Sequence, residues 1–154
     1  MTLYFEDIEI GSTAHFGRYE VTRDEVIAFA SRYDPQDFHL DDAAAAASIF
    51  GRIPASGWHT CGMAMNMIVT HWKENGTADA SMGGLGMDEL RWPHPVYPGD
   101  VLRCEIEVLD KRASASRPEM GIVKSRWSVF NQDDTLVMTM VSNAIWRTRA
   151  GKAS

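Results

Sequence analysis

In the stretch SRYDPQDFHLDD, residues 31–42, a carboxylate (Asp34) and an imidazole (His39) lie five positions apart on a connection broken by Pro35. A proline disfavours helical backbone in the residue before it, so the two side chains sit on irregular chain and can face one cleft. A carboxylate accepts a proton from water, and an imidazole gives or takes one near neutral pH, so the pair can hold a water between them. The same residues would also serve as a turn-stabilising cap and a packing histidine, and the loop alone does not choose between these uses. Further on, in PASGWHT, Ser56 and Gly57 open a long apolar segment. Free backbone N–H groups at a helix start, backed by the helix dipole, suit partial negative charge on a carbonyl oxygen. A glycine there lets a substrate approach closely. A proton-transfer pair upstream of an anion-stabilising helix start is a more specific combination than either part.

Several elements must position these groups. Thr22 and Glu25 have capping-box spacing, and Val26, Ile27, Phe29 and Ala30 recur at helical intervals, so a helix is expected to run from Thr22 to about Tyr33. Asp41 or Asp42 can cap a short second helix through the alanine run at 43–47. After a break at 51–54, SGWHTCGMAMNMIVTHW predicts about four helical turns closed by Asn75 and Gly76. Trp58, Cys61, Met63, Ala64, Met65, Met67, Ile68, Val69 and Trp72 make it apolar nearly all round, and such a helix is expected to be buried on every side. The segments LGMDELRW, DVLRCEIEVLD, MGIVKSRWSVF and TLVMTMVSNAIWRT alternate with period two, separated by turn sequences such as HPVYPGD and NQDD. Short connections favour antiparallel pairing. The N-terminal TLYFEDIEIGS is expected to add an edge strand. The pattern is α+β, a sheet wrapping one helix. No internal repeat or low-complexity linker divides residues 1–154, so one domain is expected.

With 154 residues, 45% of them hydrophobic and 23% charged, the chain has the profile of a soluble globular domain. A net charge of −6 argues against general nucleic-acid binding, and no apolar run approaches the ~20 residues needed to cross a bilayer. The acidic N-terminus is unlike a secretory signal. With only Cys61 and Cys104, a reduced, cytoplasmic setting is expected and a disulfide scaffold is not. The five histidines show no metal-ligand spacing, so no metal is expected. Met63 with Met67 and Met82 with Met87 offer adaptable thioethers, or plain core filling. Lys124, Arg126, Arg147, Arg149 and Lys152 lie in the more basic second half, where they can meet a phosphate-bearing ligand or simply coat the sheet.

The segments DPQDFH, ASGWHT, LRWPHPVYPGD and GIVKSRWSVFNQDDTLVMTM follow one another as in the MaoC-like dehydratases, which include the (R)-specific enoyl-CoA hydratases, and the chain resembles that family over nearly its whole length. The resemblance implies a hot-dog fold, an antiparallel sheet of about five strands wrapped around one long buried helix, and a homodimer. It implies a hydro-lyase that reversibly hydrates a 2-enoyl thioester of CoA or a carrier protein, with no cofactor. Asp34 would be the general base, His39 the water-binding and proton-transfer partner, and the Gly57 N–H the oxyanion donor. Gln36, Phe38, Ser56, Trp58, Met82 and Trp92 would contact substrate. Three positions depart from the family: Gln36 where Asn is preferred, Asp37 where Pro is preferred, and Ser56 where such hydratases often carry His. Asp37 either perturbs a neighbouring carboxyl or faces solvent. Two other uses of the same cleft are a thioesterase with Asp34 as base and a non-catalytic acyl-thioester binding module.

Overall fold

A computed structural model describes residues 2–151, so Lys152 lies outside the described residues. Five strands, β1 (Thr13–Glu20), β2 (Ser81–Arg91), β3 (Val101–Ala113), β4 (Met120–Phe130) and β5 (Leu136–Arg147), form one antiparallel sheet in the order β1-β3-β4-β5-β2. Alternation sets the faces. On β3, Leu102 and Cys104 are buried, while Arg103, Glu105 and Glu107 point the other way into ion pairs. The concave face curls around α3 (Gly57–Glu74), the hot-dog arrangement.

Only one face of α3 is buried. His59, Thr60, Met63, Ala64, Met67 and Ile68 face the sheet, with the methionines and Ile68 in a core that includes Trp127, Val129, Met138 and Met140. Each large side chain removed from water there is worth about 1.5–3 kcal/mol. Trp58 is 60% exposed and Met65 37% exposed on the opposite side. The expectation of a helix buried on every side is therefore corrected: the apolar outer face is left open.

The N-terminal stretch also departs from expectation. Phe5–Asp7 form a single 3₁₀ turn, with the Asp7 carboxylate accepting the Tyr4 N–H at 2.9 Å. Phe5 packs directly over Gly121 of β4, where a Cβ would collide with its ring. The edge strand begins only at Thr13 and pairs with β3.

Two short helices carry the remaining machinery. In α1 (Arg23–Tyr33), the Thr22 hydroxyl accepts the Glu25 N–H at 3.3 Å. The Glu25 carboxylate makes no return bond; it accepts the Tyr19 hydroxyl and lies 3.2 Å from His59 Nε2. The last turn closes with Asp34 N–H donating to the Ala30 carbonyl at 2.9 Å, which delivers Asp34 at the helix end. Asp41 is the cap of α2 (Asp42–Ala46), accepting the Ala44 N–H at 2.8 Å.

Candidate active site

Asp34 and His39 meet at the wall of a cavity of about 330 Å³ between the 34–39 loop, the start of α3 and the end of β2. His39 is buried, and its Nδ1 lies 2.7 Å from the Pro54 carbonyl oxygen. A carbonyl can only accept, so Nδ1 carries the hydrogen. On a neutral ring that leaves a bare lone pair on Nε2, which stands 3.2 Å from Asp34 Oδ2. Two lone pairs do not attract. Nε2 therefore faces the carboxylate as a proton acceptor unless it is itself protonated.

Asp34 is held as the acceptor of that pair. The Ser56 hydroxyl donates to Oδ2 at 2.7 Å and the Gln36 amide donates to Oδ1 at 2.7 Å. Burial pushes the Asp34 carboxyl upward, but these two hydrogen bonds and the adjacent His39 outweigh it and hold the group below its ordinary value. Gln36 thus orients the carboxylate. Asp37 is exposed and does not act on Asp34, so of its two expected roles it takes the solvent-facing one.

Ser56 occupies the N-cap position of α3 but makes no capping bond; its buried hydroxyl donates to Asp34 instead. The first N–H groups of α3, beginning with Gly57, are left without a side-chain acceptor, as an oxyanion donor requires. The space beside the Gly57 Cα is not open, however. A Cβ there would stand 2.6 Å from Cε2 of Trp92, whose indole packs flat against the glycine. Trp92 in turn meets Trp58 edge-on, with centroids 5.4 Å apart, and the two rings form the mouth. Phe38 packs between His39 and Phe50.

Eight of the nine residues expected at the site therefore line this cavity; Met82 lies on β2 away from it. Sequence reasoning missed Pro54, Phe50, His94 and Val137. The Pro54 carbonyl was visible only as a helix break, and Val137 comes from a strand remote in sequence. The lining contains no Lys or Arg. Of the basic candidates, Arg126 is paired with Glu107 at 2.8 Å and Arg149 with Asp7, both away from the cavity. Among the described residues no cluster of three or more His, Cys, Asp or Glu could hold a metal ion.

A family model described as the MaoC like domain matches residues 7–127. This chain belongs to the MaoC-like family. A solved MaoC-like dehydratase from Rhodospirillum rubrum superposes with a TM-score of 0.85 at 37% identity, covering 96% of this chain and 98% of that one. The MaoC-like chain is also 32% identical to protein YdeM of Bacillus subtilis (strain 168) over 86% of its own length and 90% of that protein's. It is 30% identical over 70% of its length to the 3-hydroxybutyryl-CoA dehydratase of Methylorubrum extorquens, covering 65% of that enzyme. Membership in this family supports hydratase or dehydratase chemistry.

Proposed function

We propose that this protein reversibly hydrates a 2-enoyl thioester, most simply an acyl-CoA, without a cofactor. The observation that carries the reading is Asp34 Oδ2 standing 3.2 Å from His39 Nε2, with His39 Nδ1 occupied by the Pro54 carbonyl; the dyad starts with one proton shared between the two. A water held by this pair gives a proton to the dyad as its oxygen bonds to the β-carbon. The double-bond electrons move toward the thioester carbonyl, whose oxygen gains charge and is met by the Gly57 N–H. The dyad, holding two protons at that moment, returns one to the α-carbon through His39 and regains its starting state. Reversed, the steps dehydrate a 3-hydroxyacyl thioester. With no cation in the cavity wall, the phosphates of CoA would lie outside it, and the acyl part is expected to carry no carboxylate.

The working form we infer is a homodimer in a reducing, cytoplasmic setting. Edge strand β2 is exposed from residue 82 to 89, and the open face of α3 presents Trp58 and Met65; a second copy would cover both. The test follows the enoyl absorbance of crotonyl-CoA with wild type, Asp34→Asn and His39→Ala. Loss of the signal with wild type, slowed by orders of magnitude in both variants, supports the reading. Release of free thiol instead makes the protein a thioesterase, and saturable binding with no turnover makes it a binding module.

A further inference from the structure

At the far end of α3 from Asp34, the concave face of the sheet lines a second, open cavity of about 320 Å³. Its walls are Trp72 on α3, Trp127 on β4, Trp146 on β5, and Ile106 and Val108 on β3. Met63, Met67, Trp127, Met138 and Met140 belong to the core packed between the two cavities. The hollow has a cause in the sequence. Along β4 and β5 the facing pairs are Trp127 with Met140, then Ser125 with Ser142, then Val123 with Ala144. Small residues follow large ones, and Ala14 on β1 adds a further gap.

Unfilled core volume is destabilising. Ser142 is 3% exposed and lines the cavity, with Ser125 paired to it across the sheet. A full charge of either sign is costly at the site, because indole and aliphatic walls strip its hydration. The lining has no Lys or Arg to pair an anion, and of its acids Asp7 is already paired with Arg149. At roughly 30 Å³ per heavy atom, the space holds about ten to twelve of them.

We propose that this cavity is a second ligand site, separate from the reaction at Asp34, for an uncharged and mainly apolar small molecule with one hydroxyl or carbonyl group. The Ser142 hydroxyl, with Ser125 beside it, bonds the polar end. The three indoles and the β3 side chains cover the chain or ring. A site of this size and lining falls at the lower end of ligand pockets generally.

The experiment titrates the full chain with 1-decanol, decanoate and decyltrimethylammonium, read by calorimetry and by fluorescence of the indoles that line the cavity. Saturable binding of 1-decanol at one per protomer, at least tenfold tighter than either charged analogue, is expected. Ala144→Leu, which fills the hollow, should weaken it at least tenfold, and Ser142→Val by about fivefold. Asp34→Asn should leave it unchanged. Ala14→Leu fills the hollow from the opposite wall and replaces Ala144→Leu if that variant does not fold. Absence of saturable binding, equal binding of a charged analogue, or binding indifferent to the filling variants would overturn the proposal. So would loss of binding in Asp34→Asn, which would place the ligand in the other cavity. None of these readings depends on turnover.

Discussion

Replacing Ser56 by Ala removes one hydroxyl and leaves the backbone of the α3 start intact. What it takes away is a 2.7 Å donor to a carboxylate, from a residue that is itself fully buried. Hydrogen bonds to charged groups contribute about 1.5–3 kcal/mol. The Asp34 side chain retains 18% exposure, so water can replace part of the lost bond, and the expected loss lies near the lower end, about 2 kcal/mol. With a urea slope of about 2 kcal/mol/M, the unfolding midpoint at pH 7 should fall by about 1 M, measured at one fixed protomer concentration. The loss must also depend on pH. Asp34 is held below its ordinary value in the folded protein, so its contribution is present above the unfolded value of 3.8 and disappears as pH falls through the folded value. Ser56→Ala raises the folded value, so the gap between variant and wild type should narrow as the pH is lowered to about 3.5. If the gap is the same at both pH values, Asp34 is not an ionised acceptor of the Ser56 hydroxyl, and its assignment as the base of the dyad fails with it.

Three further outcomes are expected. Gly57→Ala should slow hydration about a hundredfold, because the new methyl displaces the Trp92 ring and shifts the mouth against the oxyanion donor; steady-state kinetics beside Trp92→Ala separates displacement from loss of the ring. Gly121→Ala should cost about 1–3 kcal/mol by driving Phe5 from its seat, and a double-mutant cycle with Phe5→Ala should remove most of that cost in thermal denaturation. Burial, then the bond to Glu25 and its charge, push the Tyr19 phenol up to about 12; Glu25→Gln should lower its titration, followed by phenolate absorbance, though not to the ordinary 10 because the burial remains. A raised phenol stabilises the fold below the unfolded value and loses that contribution as pH rises through the folded one, so the variant should begin to lose stability at lower alkaline pH.

What could be read from the sequence followed the range of the interaction concerned. The Thr22 cap, the stop at Pro35 and the alternation of β3 to β5 are local, and they formed as expected. Glu25 satisfies the capping-box spacing, yet its carboxylate turns to Tyr19 and His59, partners that exist only after β1 and α3 have packed. The N-terminal stretch alternates like a strand, but Asp7 satisfies the Tyr4 N–H within a turn and pairing with β3 starts beyond it. At the site, Asp34, His39 and Gly57 could be named from residue type and spacing. The use of Ser56 as a donor to Asp34, and of a proline carbonyl to fix a tautomer, needed the 53–56 segment folded back on the loop.

The groups assigned to proton transfer and charge stabilisation all fall between residues 34 and 57, with Trp92, Val96 and Val137 reaching the same cavity from the sheet side. The proposed reacting groups thus lie in the first half of the chain, while part of the cavity wall comes from the second. A chimera that keeps 1–75 and takes residues 76–151 from another family member should retain the reaction and change the acyl preference only through the wall that Trp92, Val96 and Val137 supply. Divergence of substrate range within this architecture can then proceed by drift in strand side chains, without passing through inactive intermediates.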